Sequence, residues 1–126
     1  MRIFKTKWTA RFARRERIDD ADLIEAIERA ERGVIDADLG GGLIKQRVAR
    51  PGQGRSGGFR TVIAYRTRER AFFLYGFAKS ARDNIEDGEL QTLRNVAAEM
   101  LAYGDAMLEH LKAEGELQEI EDGKRT

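Results

Sequence analysis

The chain alternates between two hydrophobic periods, and the switch points outline its elements. Arg2 to Trp8 alternates weakly and predicts a short strand. Trp8, Phe12 and Ala13 then recur at helical spacing, with arginines between them. Asp19 is suited to cap a second helix, with Asp20 and Asp22 in its first turn. Leu23, Ile24, Ile27, Ala30 and Val34 form its apolar stripe, and Gly33 is a fitting C-terminal cap. The N-terminal part therefore reads as a strand followed by a helical hairpin.

Gly40-Gly41-Gly42 marks a loop. Leu43 to Arg50 alternates as a strand, with Lys45 and Arg47 on one parity and Gln46, Val48 and Arg50 on the other. Pro51 ends it, and a glycine-rich loop from Gly52 to Gly58 follows. Phe59 to Arg66 predicts the second strand of this hairpin, and Thr67 to Arg70 a turn. Ala71 to Lys79 is apolar on both parities, as a central strand buried on both faces would be. These connections are too short for crossover helices, so the strands form an antiparallel meander. From Glu89 the period returns to helical, with a stripe from Leu90 to Leu111 that Gly104 is placed to break or kink. Leu117 to Ile120 is compatible with a short terminal strand or with a disordered end. The expected fold class is α+β: an N-terminal strand, a helical hairpin, an antiparallel sheet of about four strands and a C-terminal helix. No linker interrupts the pattern, so residues 1–126 read as one domain.

Composition narrows the chemistry. The chain has no cysteine and one histidine, which excludes disulfide scaffolds, thiolate zinc sites and paired-histidine nucleases. The longest run free of charge is eight residues, Ala71 to Ala78, far short of a membrane span. No signal peptide is read at the N-terminus, and a cytoplasmic location is the expectation. The net charge of +1 hides an asymmetry. Residues 1–82 hold 19 Lys/Arg against 10 Asp/Glu, and residues 83–126 hold 4 against 12. Such a basic half suits a polyanionic partner; mutual neutralisation of the two halves across an internal interface is the other explanation.

Most candidate motifs fail on context. Gly52-x-Gly54-x-x-Gly57 matches the dinucleotide fingerprint literally, but that motif needs a helix after it, and a strand follows here. His110 sits in an acidic helix without an acid–base partner. Asp36, Asp38, Asp83, Glu86 and Asp87 are accounted for by loop and helix-end roles, so no metal ligand set and no cofactor is expected. The basic residues differ. Lys45 and Arg47 share one strand face, Arg60 and Arg66 share one face of the next, and Lys79 and Arg82 follow the central strand. Converging cations can stabilise the dianionic transition state when a 2′-hydroxyl attacks the adjacent phosphate of RNA. Arginine cannot be the base of such a step, whereas a lysine among cations can. A non-catalytic RNA-binding module would need the same charges.

These residues carry a family resemblance. Asp36 to Gly42, the run Lys45-x-Arg47-Val48-Ala49-Arg50, the Gly52 to Arg60 segment, Phe72 to Lys79 and Asp83-Asn84-Ile85 together resemble the RelE/HigB-like toxins of type II toxin–antitoxin systems. The resemblance runs to about residue 120. It implies a small α+β toxin domain that cleaves mRNA, typically in the ribosomal A site, and so inhibits translation. It implies a cognate antitoxin, usually a helix-turn-helix protein, as partner beside mRNA and the ribosome, with no membrane involved. By position it assigns catalysis to Lys45, Arg47, Arg60, Lys79 and Arg82. Arg50, Arg55 and Arg66 are the expected RNA-binding residues around them. Some relatives carry a catalytic tyrosine after the last basic residues; Asp83 to Glu89 holds none. A gyrase-inhibiting toxin on the same scaffold is the further alternative. Phe72, Phe73, Tyr75, Phe77, Trp8 and Phe12 are read as core rather than base-stacking surface.

Overall fold

The computed structural model describes residues 1–50, 54–82 and 84–120, with residues 54–56 through their backbone only. In chain order the elements are β1 (Arg2–Thr6), α1 (Lys7–Glu16), α2 (Asp20–Glu31), β2 (Ala37–Gly40), β3 (Leu43–Arg50), β4 (Gly54–Arg66), β5 (Arg70–Ala78), α3 (Asp87–Leu101), α4 (Asp105–Ala113) and β6 (Leu117–Ile120). The α+β class and the order of its parts match the expectation. The sheet has six strands rather than four, ordered β2-β3-β4-β5-β1-β6. Every neighbouring pair is antiparallel except β1 with β5. The predicted C-terminal helix is two helices, because Gly104 leaves the helical path and caps the start of α4.

Local sequence explains the boundaries. Thr6 accepts the Thr9 amide through its hydroxyl and starts α1. Asp19 and Asp22 form a reciprocal capping box at α2. Helix α2 stops at Glu31, and Gly33 follows with φ +83°. Val34, expected on the helical stripe, therefore lies beyond the helix and is exposed. The three glycines 40–42 all adopt positive φ, which lets β2 fold tightly onto β3. Strand β4 begins at Gly54, so part of the expected glycine loop is strand, with Gly54 opposite Arg50.

The sheet separates two apolar layers. On one face, α1 and α2 pack Phe12, Leu23, Ala26 and Ile27 against Ile44, Val48, Phe59, Ile63 and Phe73. On the other, α3 and α4 pack Ala97, Met100, Leu101 and Leu108 against Phe4, Leu43, Val62, Ala64, Phe72 and Leu74. Phe72 and Phe73 on adjacent positions of β5 thus serve opposite cores, as a strand with two apolar parities should. Both are fully buried, worth about 1.5–3 kcal/mol each. They are unavailable for base stacking. Gly76 marks the closest helix approach: a Cβ there would lie 2.7 Å from Phe12 Cε2. No helix among the described residues is long and apolar enough to cross a membrane.

Candidate RNA-cleavage site

Helix α3 covers only part of its sheet face. Beyond it, at the end of β3–β5 nearest the glycine-rich segment, the same face is polar. Register places the residues. Lys45 pairs with Val62, Val62 with Tyr75, Arg47 with Arg60, and Arg60 with Phe77. Cross-strand partners share a face and sit about 5 Å apart at Cα. Val62 belongs to the α3 core, so Lys45, Arg47, Arg60, Tyr75 and Phe77 all lie on that side. The alternation of β3 thus delivers two cations to the surface where β4 delivers a third. Arg60 is 8% exposed and Arg47 is exposed.

Helix α2 fixes the backbone under Arg47. The buried Arg29 guanidinium donates to the Arg47 carbonyl and lies 3.4 Å from Asp36 Oδ2. Asp36 in turn accepts the Arg47 amide at 2.7 Å. Lys45 reaches Asn84, with Nζ 3.5 Å from Oδ1. It lines a small pocket together with Leu39, Asn84, Ile85 and Leu90.

Arg82 folds back over β5. Its guanidinium stands 5.5 Å from the Phe77 ring centroid, donates to the Tyr75 hydroxyl at 3.5 Å and binds Asn84 O at 2.8 Å. Glu89 grips it with both oxygens, at 2.6 and 3.2 Å. Glu89 also accepts the Glu86 amide and so closes the capping box of α3. One side chain therefore ends a helix and orients a candidate catalytic arginine. The Arg82 hydrogen bonds, then the Glu86 amide, hold the Glu89 carboxyl below its usual range; the Arg82 pKa is raised further, chiefly by Glu89. A depressed carboxyl stabilises the fold above its ordinary pKa and loses that contribution only as pH falls through the lowered value. By carboxyl NMR, Glu89 is expected to titrate below the ordinary value of about 4.3, and in Arg82→Gln to move back toward it. An unmoved titration in that variant would show that the clamp is not what lowers it.

Not every expected residue joins the cluster. Lys79 lies just past β5, its amide on Gly58 O at 3.2 Å, and its side chain is exposed. Arg50 sits on the opposite face, 5.4 Å from the centroid of Phe59, which belongs to the α1/α2 core. Arg66 lies at the other end of β4, paired with Arg70 and 4.0 Å from Glu69, so the structure does not bring it to the cluster. The Arg55 side chain, like Asp83 and the segment 51–53, lies outside the described residues. Three acids of the C-terminal region pair elsewhere. Asp105, Glu109 and Glu119 bind Arg2, Arg70 and Lys112 at the far end of the sheet. Among the described pairs, only Glu89 from this region reaches the cluster.

Two participants were missed. Tyr75 was read as core, yet it is partly exposed and lines a cavity of about 420 Å³ with Gly88, Glu89, Thr92 and Leu93. Glu89 was read only as the start of a helical period; the spacing Glu86-x-x-Glu89 is a capping-box signal that locates it. A family model described as the RelE toxin of the RelE/RelB toxin–antitoxin system matches residues 1–120. The chain belongs to the RelE toxin family. No curated protein matches it. Membership makes it a toxin of a toxin–antitoxin system, with a cognate antitoxin as its partner. In this RelE-family toxin, the matched span contains every residue of the cluster.

Proposed function

We propose that this toxin is an endoribonuclease that cleaves mRNA in the cytoplasm, on the ribosome, and so inhibits translation. Its antitoxin partner is, in this reading, a helix-turn-helix protein. The observation that supports it is the gathering of Lys45, Arg47, Arg60 and Arg82 with the Tyr75 hydroxyl on one open sheet face. The 2′-hydroxyl attacks the adjacent phosphorus, the P–O5′ bond breaks, and a 2′,3′-cyclic phosphate and a 5′-hydroxyl result. The added negative charge on the phosphoryl oxygens falls to Arg47 and Arg60, held by the ladder and by Asp36 below them. Lys45 as the free amine, or Tyr75 as the phenolate, receives the 2′-proton, because guanidinium groups do not deprotonate, and the leaving 5′-oxygen takes a proton from water. Arg82 orients Tyr75, and Lys79 draws the strand in. The step is metal-independent in this reading: the cations supply the charge that a divalent ion would otherwise supply.

The test is primer extension on a defined mRNA in a reconstituted translation system, with and without ribosomes. Cuts that need ribosomes are expected, along with cyclic-phosphate ends. Cuts on free RNA would keep the nuclease and remove the A-site mechanism. Folded protein that cuts neither would leave a binding module or a gyrase-directed toxin on the same scaffold. Tyr75→Phe separates the two candidate bases: a large loss of rate points to the phenol, an unchanged rate to Lys45.

A further inference from the structure

We infer that the exposed face of α1 is a second RNA-binding surface, which takes the substrate strand after it leaves the cleavage site past Tyr75. The inference rests on the nuclease reading and extends it. Lys7, Arg11, Arg14 and Arg15 recur at i, i+4, i+7 and i+8, so they share one side of the helix, and all are exposed. They span about 12 Å along its axis. Among the described residues, no carboxylate lies within salt-bridge distance of Lys7, Arg11 or Arg14; Arg15 is 3.4 Å from Glu16. Beside the stripe, Lys5 is paired with Asp20. A helix that ends its hydrophobic contacts at Thr9, Ala10, Phe12 and Ala13 and turns an unneutralised cationic stripe outward is a surface for a polyanion.

Trp8 connects this stripe to the site. It was expected in the core but is 39% exposed. One contact is Phe12, stacked at 5.3 Å; another is Tyr75 at 4.6 Å, whose hydroxyl meets Arg82. The order Arg82, Tyr75, Trp8, Arg11 is thus a continuous path from the cleavage face round the edge of β5 onto α1. An exposed indole among arginines fits a nucleic acid strand, offering one π-face for a base and cations for the flanking phosphates. An acidic peptide would have no use for the indole. Arg50, which does not reach the cluster, falls on this side as well, over Phe59 and near Arg15 through the Phe12–Phe59 edge contact.

The experiment uses the full chain without ribosomes and single-stranded RNA carrying 2′-O-methyl groups to prevent cleavage. Affinity is read by fluorescence anisotropy for strands of about four and about twelve nucleotides. The wild type is expected to bind the longer strand more tightly. Lys7→Gln/Arg11→Gln/Arg14→Gln, all exposed positions, is expected to remove at least about tenfold of that gain and to lower the salt slope for the long strand by about 2, from about 0.7 per phosphate. The short strand should bind it as before. Trp8→Ala is expected to lose about tenfold or more on the long strand, and Trp8→Phe, which keeps a ring on Phe12, to recover part of it. A triple variant with wild-type affinity and slope would overturn the inference while leaving the nuclease reading intact. So would equal losses at both lengths, or a loss confined to ribosome binding or to antitoxin binding. Wild-type protein that binds neither strand would overturn the inference and leave the ribosome-dependent nuclease reading to the primer-extension test.

Discussion

Replacing Arg60 with alanine is expected to lower mRNA cleavage by about 10²–10³-fold, the effect of removing one preorganised donor from a developing oxyanion. The argument is positional. Arg60 stands between Arg47 on β3 and Phe77 on β5, in the middle of the ladder, where the backbone is held on both sides. At 8% exposure its guanidinium is shielded from water, so its charge acts at lower effective dielectric than that of Lys79 or Arg47. RNA affinity should fall far less than rate, and the salt slope by about 0.7, since one phosphate contact is lost. Single-turnover cleavage and equilibrium binding on the same variant separate the two quantities. Arg60→Lys retains charge but loses the planar fork, and it should fall between wild type and alanine. A folded Arg60→Ala protein that cleaves at the wild-type rate would remove Arg60 from the mechanism. One that loses binding and cleavage in equal proportion would make it a binding residue only.

Much of this arrangement was legible along the chain, and what was hidden has physical causes. Strands β3 to β5 announce themselves through period-two alternation and short loops, so the facing of Lys45 with Arg47 follows directly. Strand β2, only Ala37 to Gly40, is too short and too polar to show a period. Strand β6 was legible as a candidate at Leu117 to Ile120, but its pairing was not, because its partner β1 is more than a hundred residues away. The parallel pairing of β1 with β5 is equally non-local; nothing within either segment signals it. Hydrophobic type alone predicts burial for Trp8 and Tyr75, but both lie where β5 runs past the end of β1 and lacks a strand beside it. The edge leaves one side of each ring uncovered. The Arg82–Glu89 clamp depends on how the turn after β5 folds back, a property of three-dimensional closure rather than of spacing. The charge asymmetry was visible, yet its destination was not: Asp105, Glu109 and Glu119 meet Arg2 and Arg70 at the far end of the sheet, while Glu89 meets Arg82 in the cluster.

The largest effect on stability should come from a residue that alternation alone marks as ordinary. Gln46 has the parity of Ile44 and Val48 and is 0% exposed, a polar side chain fully inside the α2 face of the sheet. Its Nε2 donates to Ala26 O at 2.9 Å and to Val34 O at 3.1 Å, and its Oε1 accepts the Asp36 amide at 2.7 Å. One amide thus bonds three backbone groups, one midway along α2 and two in the segment that leads into β2. Gln46→Ala would remove those three hydrogen bonds and open a cavity, although Ala26 O keeps its place in the α2 ladder. At about 1 kcal/mol net for each hydrogen bond lost, with the cavity added, a total loss of about 3 kcal/mol or more is expected, read from the midpoint of urea unfolding. Gln46→Leu fills most of the volume but satisfies nothing, and should recover little. Because Asp36 also holds the Arg47 amide, the same substitution should loosen Arg47 and reduce cleavage even where the protein is still folded. Gln46→Leu with wild-type stability would mean that apolar packing in place of the amide offsets these three hydrogen bonds, and that the polar tie between α2 and β3 rests on Arg29.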